Sequence, residues 1–399
     1  MIKKVTVKSF KSLESVTVEL GQVNVFVGAN GSGKSNLIEA IGVLSAAADG
    51  KVNDQTLLQR GVRPGVPALY KSAFRALNGD KSRMPAHIFF STESEHAKYE
   101  VSLHNPLNDP SPAWRFKFEL LERGSKKLVG RAPAMRPKPN PEQGLAALTA
   151  VELSENDAAL QLLKDLQGYV IFSPNTAVLR GVSTETQPRK PVGLSGGQLP
   201  TAIHQLLGFR KKSSHAKQVC RDALELIDWA KSFGSSPASL MPLSPSAAGS
   251  PRVIRFVDKY LEDGRNKLSG YDASEGALYV LFLAVLAGHE ASPAFCAVDN
   301  ADHGLNPRLA RSLVSRFCDW CLGAPRSRQT LLTTHNPLVL DGLPLQDDRV
   351  RLFTVARTNT GRTTVRRVVV SDALRKRAEQ GWALSRLWVM GELGGMPNV

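Results

Sequence analysis

Cysteine is scarce in this chain, four in 399 residues, and the four do not make a disulfide framework. Cys318 and Cys321 spell C-x-x-C, but no second pair follows and both read as helix residues, which argues against a zinc or redox site. No apolar run reaches the roughly 18 residues of a transmembrane helix. The opening Met1-Ile2-Lys3-Lys4-Val5 alternates like a strand and lacks the apolar stretch of a signal peptide. These absences lead us to expect a cytoplasmic protein that does not associate with membranes. No heptad pattern is sustained, which excludes a long coiled-coil arm, and no internal repeat is visible.

What is present is an ordinary globular composition, 42% hydrophobic and 22% charged, with a net charge of +15. That length and composition allow two packed lobes. The positive excess favours a polyanionic partner, DNA or RNA. Its basic residues lie in scattered clusters such as Arg210-Lys211-Lys212 and Arg375-Lys376-Arg377, not in one tail.

The chain is organised around Val23-Asn24-Val25-Phe26-Val27-Gly28-Ala29-Asn30-Gly31-Ser32-Gly33-Lys34-Ser35. Gly28, Gly33, Lys34 and Ser35 fit the phosphate-loop pattern G-x-x-x-x-G-K-[ST]. An apolar strand precedes the loop and a helix follows it, as phosphate binding requires. The glycines let backbone N–H groups converge on one phosphate, and the helix N-terminus adds partial positive charge. Lys34 is placed to reach the β- and γ-phosphates of a nucleotide, and the Ser35 hydroxyl to ligate Mg²⁺.

Around this loop the pattern predicts a β-hairpin turning at Phe10-Lys11-Ser12-Leu13 and a helix from Ser35 to about Ala48. Short strands are expected between 86 and 129, separated by turns such as Asn105 to Pro110, and a Pro-rich loop over 132–144. Helices are expected at 156–167, 201–207 and 216–233, and a linker over 235–252. The corresponding domain division is 1–85, 86–252 and 253–399.

The second half of a nucleotide site lies far downstream. Phe295-Cys296-Ala297-Val298-Asp299 is an apolar strand ending in a carboxylate, the magnesium-side aspartate expected on a strand beside the phosphate loop. Thr330 to Thr334 is another apolar strand, ending at His335. Between the two halves stand two candidate signature loops. Leu194-Ser195-Gly196-Gly197-Gln198 spells the ABC-transporter signature but sits in a Pro/Gly-rich stretch far from Asp299. Asp272-Ala273-Ser274-Glu275-Gly276 is a poorer spelling in a better place, one apolar helix before Asp299. Ser274 can cap that helix and Gly276 can admit a phosphate to its N-terminus. Ser274 and Gly276 are the preferred pair.

Together these motifs, with Val7-Lys8-Ser9-Phe10-Lys11-Ser12-Leu13 near the start, resemble the ABC-type ATPases of the RecF/SMC/OLD superfamily. Asn306-Pro307, Thr334-His335-Asn336-Pro337 and the missing coiled coil resemble its single-chain AAA-family members, many of which accompany antiphage modules of the Septu and PARIS types. The resemblance is firm over residues 1–75 and 250–345 and loose over 85–250. It implies an α/β fold: an ABC-type P-loop ATPase head with a mixed β-sheet core, a β-rich insertion and a helical subdomain. It further implies ATP and Mg²⁺ as cofactors, with Asn30, Gly31, Gly33, Lys34 and Ser35 around the phosphates, and Ser35 and Asp299 on the metal. His335 would sense the γ-phosphate. Ser274 and Gly276 would touch ATP held by a second subunit in a head-to-tail homodimer, from which a higher oligomer can be built. Gln59 is a weaker candidate for the glutamine loop.

The chain departs from that family at one point. Where the family places a glutamate that activates water, this sequence has Asn300, which cannot accept a proton at neutral pH. Asp302, His303 and His335 are the nearby groups able to substitute; the simpler expectation is slow hydrolysis. The leading functional expectation is a regulatory ATPase of an antiviral module that controls a separate effector, a nuclease or toxin. The alternatives are a RecF-like repair ATPase that clamps DNA and a scaffold that binds ATP without turning it over.

Overall fold

The computed structural model describes residues 1–63, 65–75, 85–105, 113–131, 138–244, 250–372, 376–377 and 380–394. The chain opens with the hairpin β1 (Lys4–Phe10) and β2 (Leu13–Glu19), then β3 (Val23–Val27), the phosphate loop, α1 (Lys34–Ala48) and a short α2 (Asp54–Leu58). Strands β4 (Ile88–Glu93), β5 (Ala97–His104), β6 (Arg115–Arg123) and β7 (Lys126–Arg131) follow. They join the first hairpin in an antiparallel six-stranded sheet ordered β2-β1-β4-β5-β6-β7. Alternation decides which face is covered: in β5, Ala97, Tyr99, Val101 and Leu103 point inward and their neighbours are half-buried. Residues on both sides of position 86 therefore share one sheet. The expected turn from Asn105 to Pro110 lies, past Asn105, outside the described residues, as does much of the Pro-rich 132–144 loop.

The middle of the chain is mainly helical: α3 (Leu145–Thr149), α4 (Ala158–Gln167), the short strand β8 (Val170–Phe172), α5 (Thr176–Leu179), α6 (Leu199–Phe209) and α7 (Ser214–Leu226). Strands β9 (Ala230–Pro237), β10 (Arg252–Asp258) and β11 (Lys267–Ser269) then form a three-stranded antiparallel sheet. The helix expected over 216–233 is thus too long. Helix α7 gives way at Ile227, and residues from Ala230 pair with β10, Phe233 facing Phe256. Pairing partners distant in sequence override the local pattern here, and the first residues of the expected 235–252 linker belong to that strand.

Helix α8 (Glu275–Gly288), strand β12 (Phe295–Val298), α9 (Pro307–Leu322), β13 (Gln329–Thr334), β14 (Val350–Arg357), β15 (Thr363–Val368) and α10 (Leu384–Val389) complete the order. Every residue of α8 from Ala277 on is buried; a helix apolar on all sides belongs at the centre of a core, and α8 packs against α6, α7 and α9. The central sheet is ordered β15-β14-β3-β13-β12-β8, with only β15 antiparallel to its neighbour. Strand β3 is buried along its whole length, as a parallel strand covered on both faces must be. Its one polar side chain, Asn24, bonds the backbone of Gly21 and Thr330. No helix among the described residues is long and apolar enough to cross a membrane.

Candidate nucleotide site

Parallel strands place their carboxyl ends on one edge of a sheet, where ligands bind. The phosphate loop follows β3, Asp299 follows β12 and His335 follows β13, so one edge receives all three. Asp299 ends a strand that reaches the phosphate loop, though β13 runs between that strand and β3. That interposition gives Thr333 of β13 a role. Its hydroxyl donates to the Asp299 carboxylate and accepts the Asn300 backbone N–H at 2.9 Å. Across the gap, the Ser35 hydroxyl donates to Asp299 Oδ2 at 3.1 Å. Two residues separated by most of the chain thus meet.

The loop keeps its shape through glycine. Gly31 (φ +77°) and Gly33 (φ +108°) are left-handed, and a Cβ on Gly33 would lie 2.1 Å from Thr363 Oγ1. A Cβ on Gly28 would lie 2.2 Å from the Val355 carbonyl. From behind, Thr363 Oγ1 donates to the Ser32 carbonyl at 2.8 Å and meets Ser12 Oγ, which also accepts from Asn36 at 2.7 Å. The turn of the first hairpin therefore supports the loop. Asn30 and Gly31 sit exposed at its rim. The Lys34 ammonium is folded onto the loop's own carbonyls, 2.7 Å from Gly28 O and 2.9 Å from Ala29 O. Burial pushes its pKa below the ordinary lysine value, and Asp299 and Asp302 oppose that shift.

One turn after Ser35, Glu39 is buried and bridges Lys11 and Arg63. Arg63 is held above its ordinary pKa, chiefly by the Glu39 carboxylate. The sequence reading missed Glu39 and Arg63; the signal was a carboxylate on the buried face of a phosphate-loop helix. Gln59 caps the end of α2 with its side chain exposed.

Asn300 is exposed with φ +51°, a left-handed conformation that asparagine tolerates better than most residues. Asp302 is buried; its Oδ1 has no hydrogen-bond partner among the described residues, and its Oδ2 lies 3.9 Å from His335 Nδ1. That distance is too long for a hydrogen bond but within reach of an ion pair. His335 is itself exposed. His303 is committed elsewhere: its Nδ1 lies 3.0 Å from the Tyr279 hydroxyl and 3.5 Å from Glu275, both on α8.

The two candidate signatures differ in what their backbones already hold. In 194–198, the N–H groups of Ser195 and Gly197 donate to the Glu185 carboxylate at 2.9 and 3.2 Å, and the segment is anchored to the chain beyond β8. Ser274 caps α8, its hydroxyl accepting from the Ala277 N–H, and is exposed. Ser274 and Gly276 open into a groove with Gly304, Asn306 and Arg308. No hydrogen bond among the described residues joins that groove to the phosphate loop.

Among the described residues no group of three or more His, Cys, Asp or Glu side chains could hold a metal ion by itself. One hydroxyl and one carboxylate suit Mg²⁺, which takes few protein ligands and completes its shell with phosphate and water.

Two family descriptions match the chain: the AAA ATPase domain over residues 1–101, and "AAA domain, putative AbiEii toxin, Type IV TA system" over residues 159–341. No curated protein matches it. Among solved structures, the SMC head bound to the C-winged helix domain of ScpA is similar over 94% of this chain and 99% of that one, with a TM-score of 0.52 at 12% identity. The SMC head domain from Thermotoga maritima covers 92% and 99% of the two chains, with a TM-score of 0.47 at 14% identity. Residues 1–101 and 159–341 are thus similar to AAA-type ATPase domains, and the fold is like that of an SMC head.

Proposed function

We propose that the chain is the regulatory ATPase of an antiviral defence module: it binds ATP firmly, hydrolyses it slowly and controls a separate nuclease or toxin. The observation that carries the ATPase part is the meeting of Ser35 and Asp299 beside Lys34 at the edge of the central sheet. Mg²⁺ at Ser35 and Asp299 supplies charge neutralisation of the phosphates. Lys34, already buried against the loop carbonyls, turns outward to the β- and γ-phosphates. Amides around Asn30, Gly31 and Gly33 cradle the same oxygens, and His335 meets the γ-phosphate. Ser274 and Gly276 close on ATP held by a second copy, in a head-to-tail dimer with two nucleotides between the heads.

Asn300 stands one residue past the metal aspartate and orients water without accepting its proton. Slow turnover prolongs the ATP-bound dimer, and a lasting dimer suits a signal. The toxin–antitoxin wording attached to residues 159–341 supports the defence setting. An SMC head of this fold binds a winged-helix domain, which supports a protein partner here. The net charge of +15 favours the second reading, an ATPase that clamps DNA, in which nucleic acid is the partner rather than the trigger. The test is a phage-plating assay of the gene with its neighbours, wild type against Lys34→Ala. Protection lost in the variant supports defence. Equal plating in both, with DNA-damage sensitivity in the variant, overturns it in favour of repair.

A further inference from the structure

Between α5, the 194–198 turn and β10 lies a cavity of about 260 Å³ that shares no lining residue with the phosphate loop. Its size falls just under the roughly 300–1,000 Å³ of drug-sized sites and suits a compound of one or two rings. Val178, Leu243, Val253 and Ile254 give it apolar walls. Arg180 and Arg252 bring two cations to its edge.

The charge balance of this cavity is uneven. Glu185 also lines it; its carboxylate keeps its charge but accepts from the backbone N–H groups of Gln187, Ser195 and Gly197 at 3.0, 2.9 and 3.2 Å, so two cations stand against one anion there. Among the described residues neither guanidinium has an acidic partner. Arg252 donates to Ser235 and meets His204 Nδ1 at 3.2 Å. Arg180 makes one long bond, 3.4 Å, to the Ala273 carbonyl, and its buried Nε has no hydrogen-bond partner among the described residues. A buried N–H of a cation left unsatisfied costs more than a neutral one, and an anion beside it removes that cost.

We propose that this cavity binds a small amphipathic anion, an apolar body of one or two rings carrying a carboxylate that meets Arg180 and Arg252. Ala273 directly precedes Ser274, so the guanidinium that receives the anion also steadies the start of α8.

The test is calorimetric titration of the full chain, its phosphate loop filled with a non-hydrolysable ATP analogue and Mg²⁺, against 1-naphthoate and the neutral 1-naphthol. We expect one naphthoate per chain, bound about tenfold or more tighter than naphthol, the worth of one charge-assisted hydrogen bond. Arg180→Gln weakens naphthoate by about the same factor and leaves naphthol unchanged. Val253→Phe, which fills the cavity from a half-buried position, removes both. Arg252→Gln repeats the charge test should Arg180→Gln melt early. No binding at millimolar naphthoate, equal affinity for the two probes, or equal affinity in wild type and the variants overturns the proposal.

Discussion

Replacing Asn300 by Glu asks the site to recover a general base. The cost is visible in the backbone: Asn300 has φ +51°, and a residue with a longer side chain pays about 1 kcal/mol in the left-handed region. The bond to Thr333 Oγ1 uses only the main-chain N–H of residue 300 and survives the change. The position is exposed, so the longer side chain meets no wall. Against that cost, a positioned base contributes about 10²- to 10⁴-fold in rate, or roughly 3–5 kcal/mol. The gain wins, and Asn300→Glu is expected to raise single-turnover hydrolysis by about tenfold or more, with a shorter-lived ATP-bound dimer. Phosphate release and dimer lifetime are the measurements. The companion change is Asp302→Asn. Asp302 is buried, 3.9 Å from His335 Nδ1 and within the field felt by Lys34, so its removal acts through those two groups. If Asp302→Asn abolishes turnover while Asn300→Glu adds nothing, the base lies in the Asp302–His335 pair and the slow-switch reading is refuted.

Lys34→Ala removes a charged donor to the phosphates, and ATP affinity should fall by roughly 10- to 150-fold, the worth of about 1.5–3 kcal/mol; unchanged ATP binding by titration would remove Lys34 from the site. Ser274→Arg is expected to block the ATP-dependent dimer by light scattering while the monomer melts normally, and Gln198→Ala in the rival loop to be silent; the reverse pattern makes 194–198 the signature. Glycine replacements are poor tools here, since a Cβ on Gly276 would lie 2.9 Å from Leu309 Cδ2 and one on Gly196 2.3 Å from Leu179 Cδ2. Binding to double-stranded DNA is expected to weaken by about tenfold or more between about 50 and 200 mM salt; salt-independent binding would separate it from the basic charge. Burial lowers the pKa of His104, His215 and His289 from 6.5. The unfolded chain then binds more protons than the folded one below that pH, so the melting temperature should drop as pH falls under 6.5. His289→Gln should flatten that slope, since its Nδ1 accepts the Ala291 N–H only while unprotonated.

The phosphate loop could be read from the sequence because its needs are local: glycines for left-handed backbone, one lysine, one hydroxyl, a strand before and a helix after. Asp299 and His335 were legible as polar ends of apolar strands. Thr333 was not, because a threonine inside TLLTT looks like any strand former, and only the order β3-β13-β12 makes its hydroxyl span Asp299 and Asn300. Glu39 and Arg63 meet through tertiary packing, and β9 exists because β10 pairs with it. The two signature spellings show the same limit from the other side. A backbone N–H serves an arriving phosphate only while it is free. Ser195 and Gly197 have given theirs to Glu185, a residue that no reading of the five-letter motif includes. At the other loop, Ser274 holds the first turn of α8 with its own hydroxyl and leaves the groove beside Gly276 open. Spelling favours 194–198, but a phosphate meets donors, and two of that loop's amides are already held by Glu185.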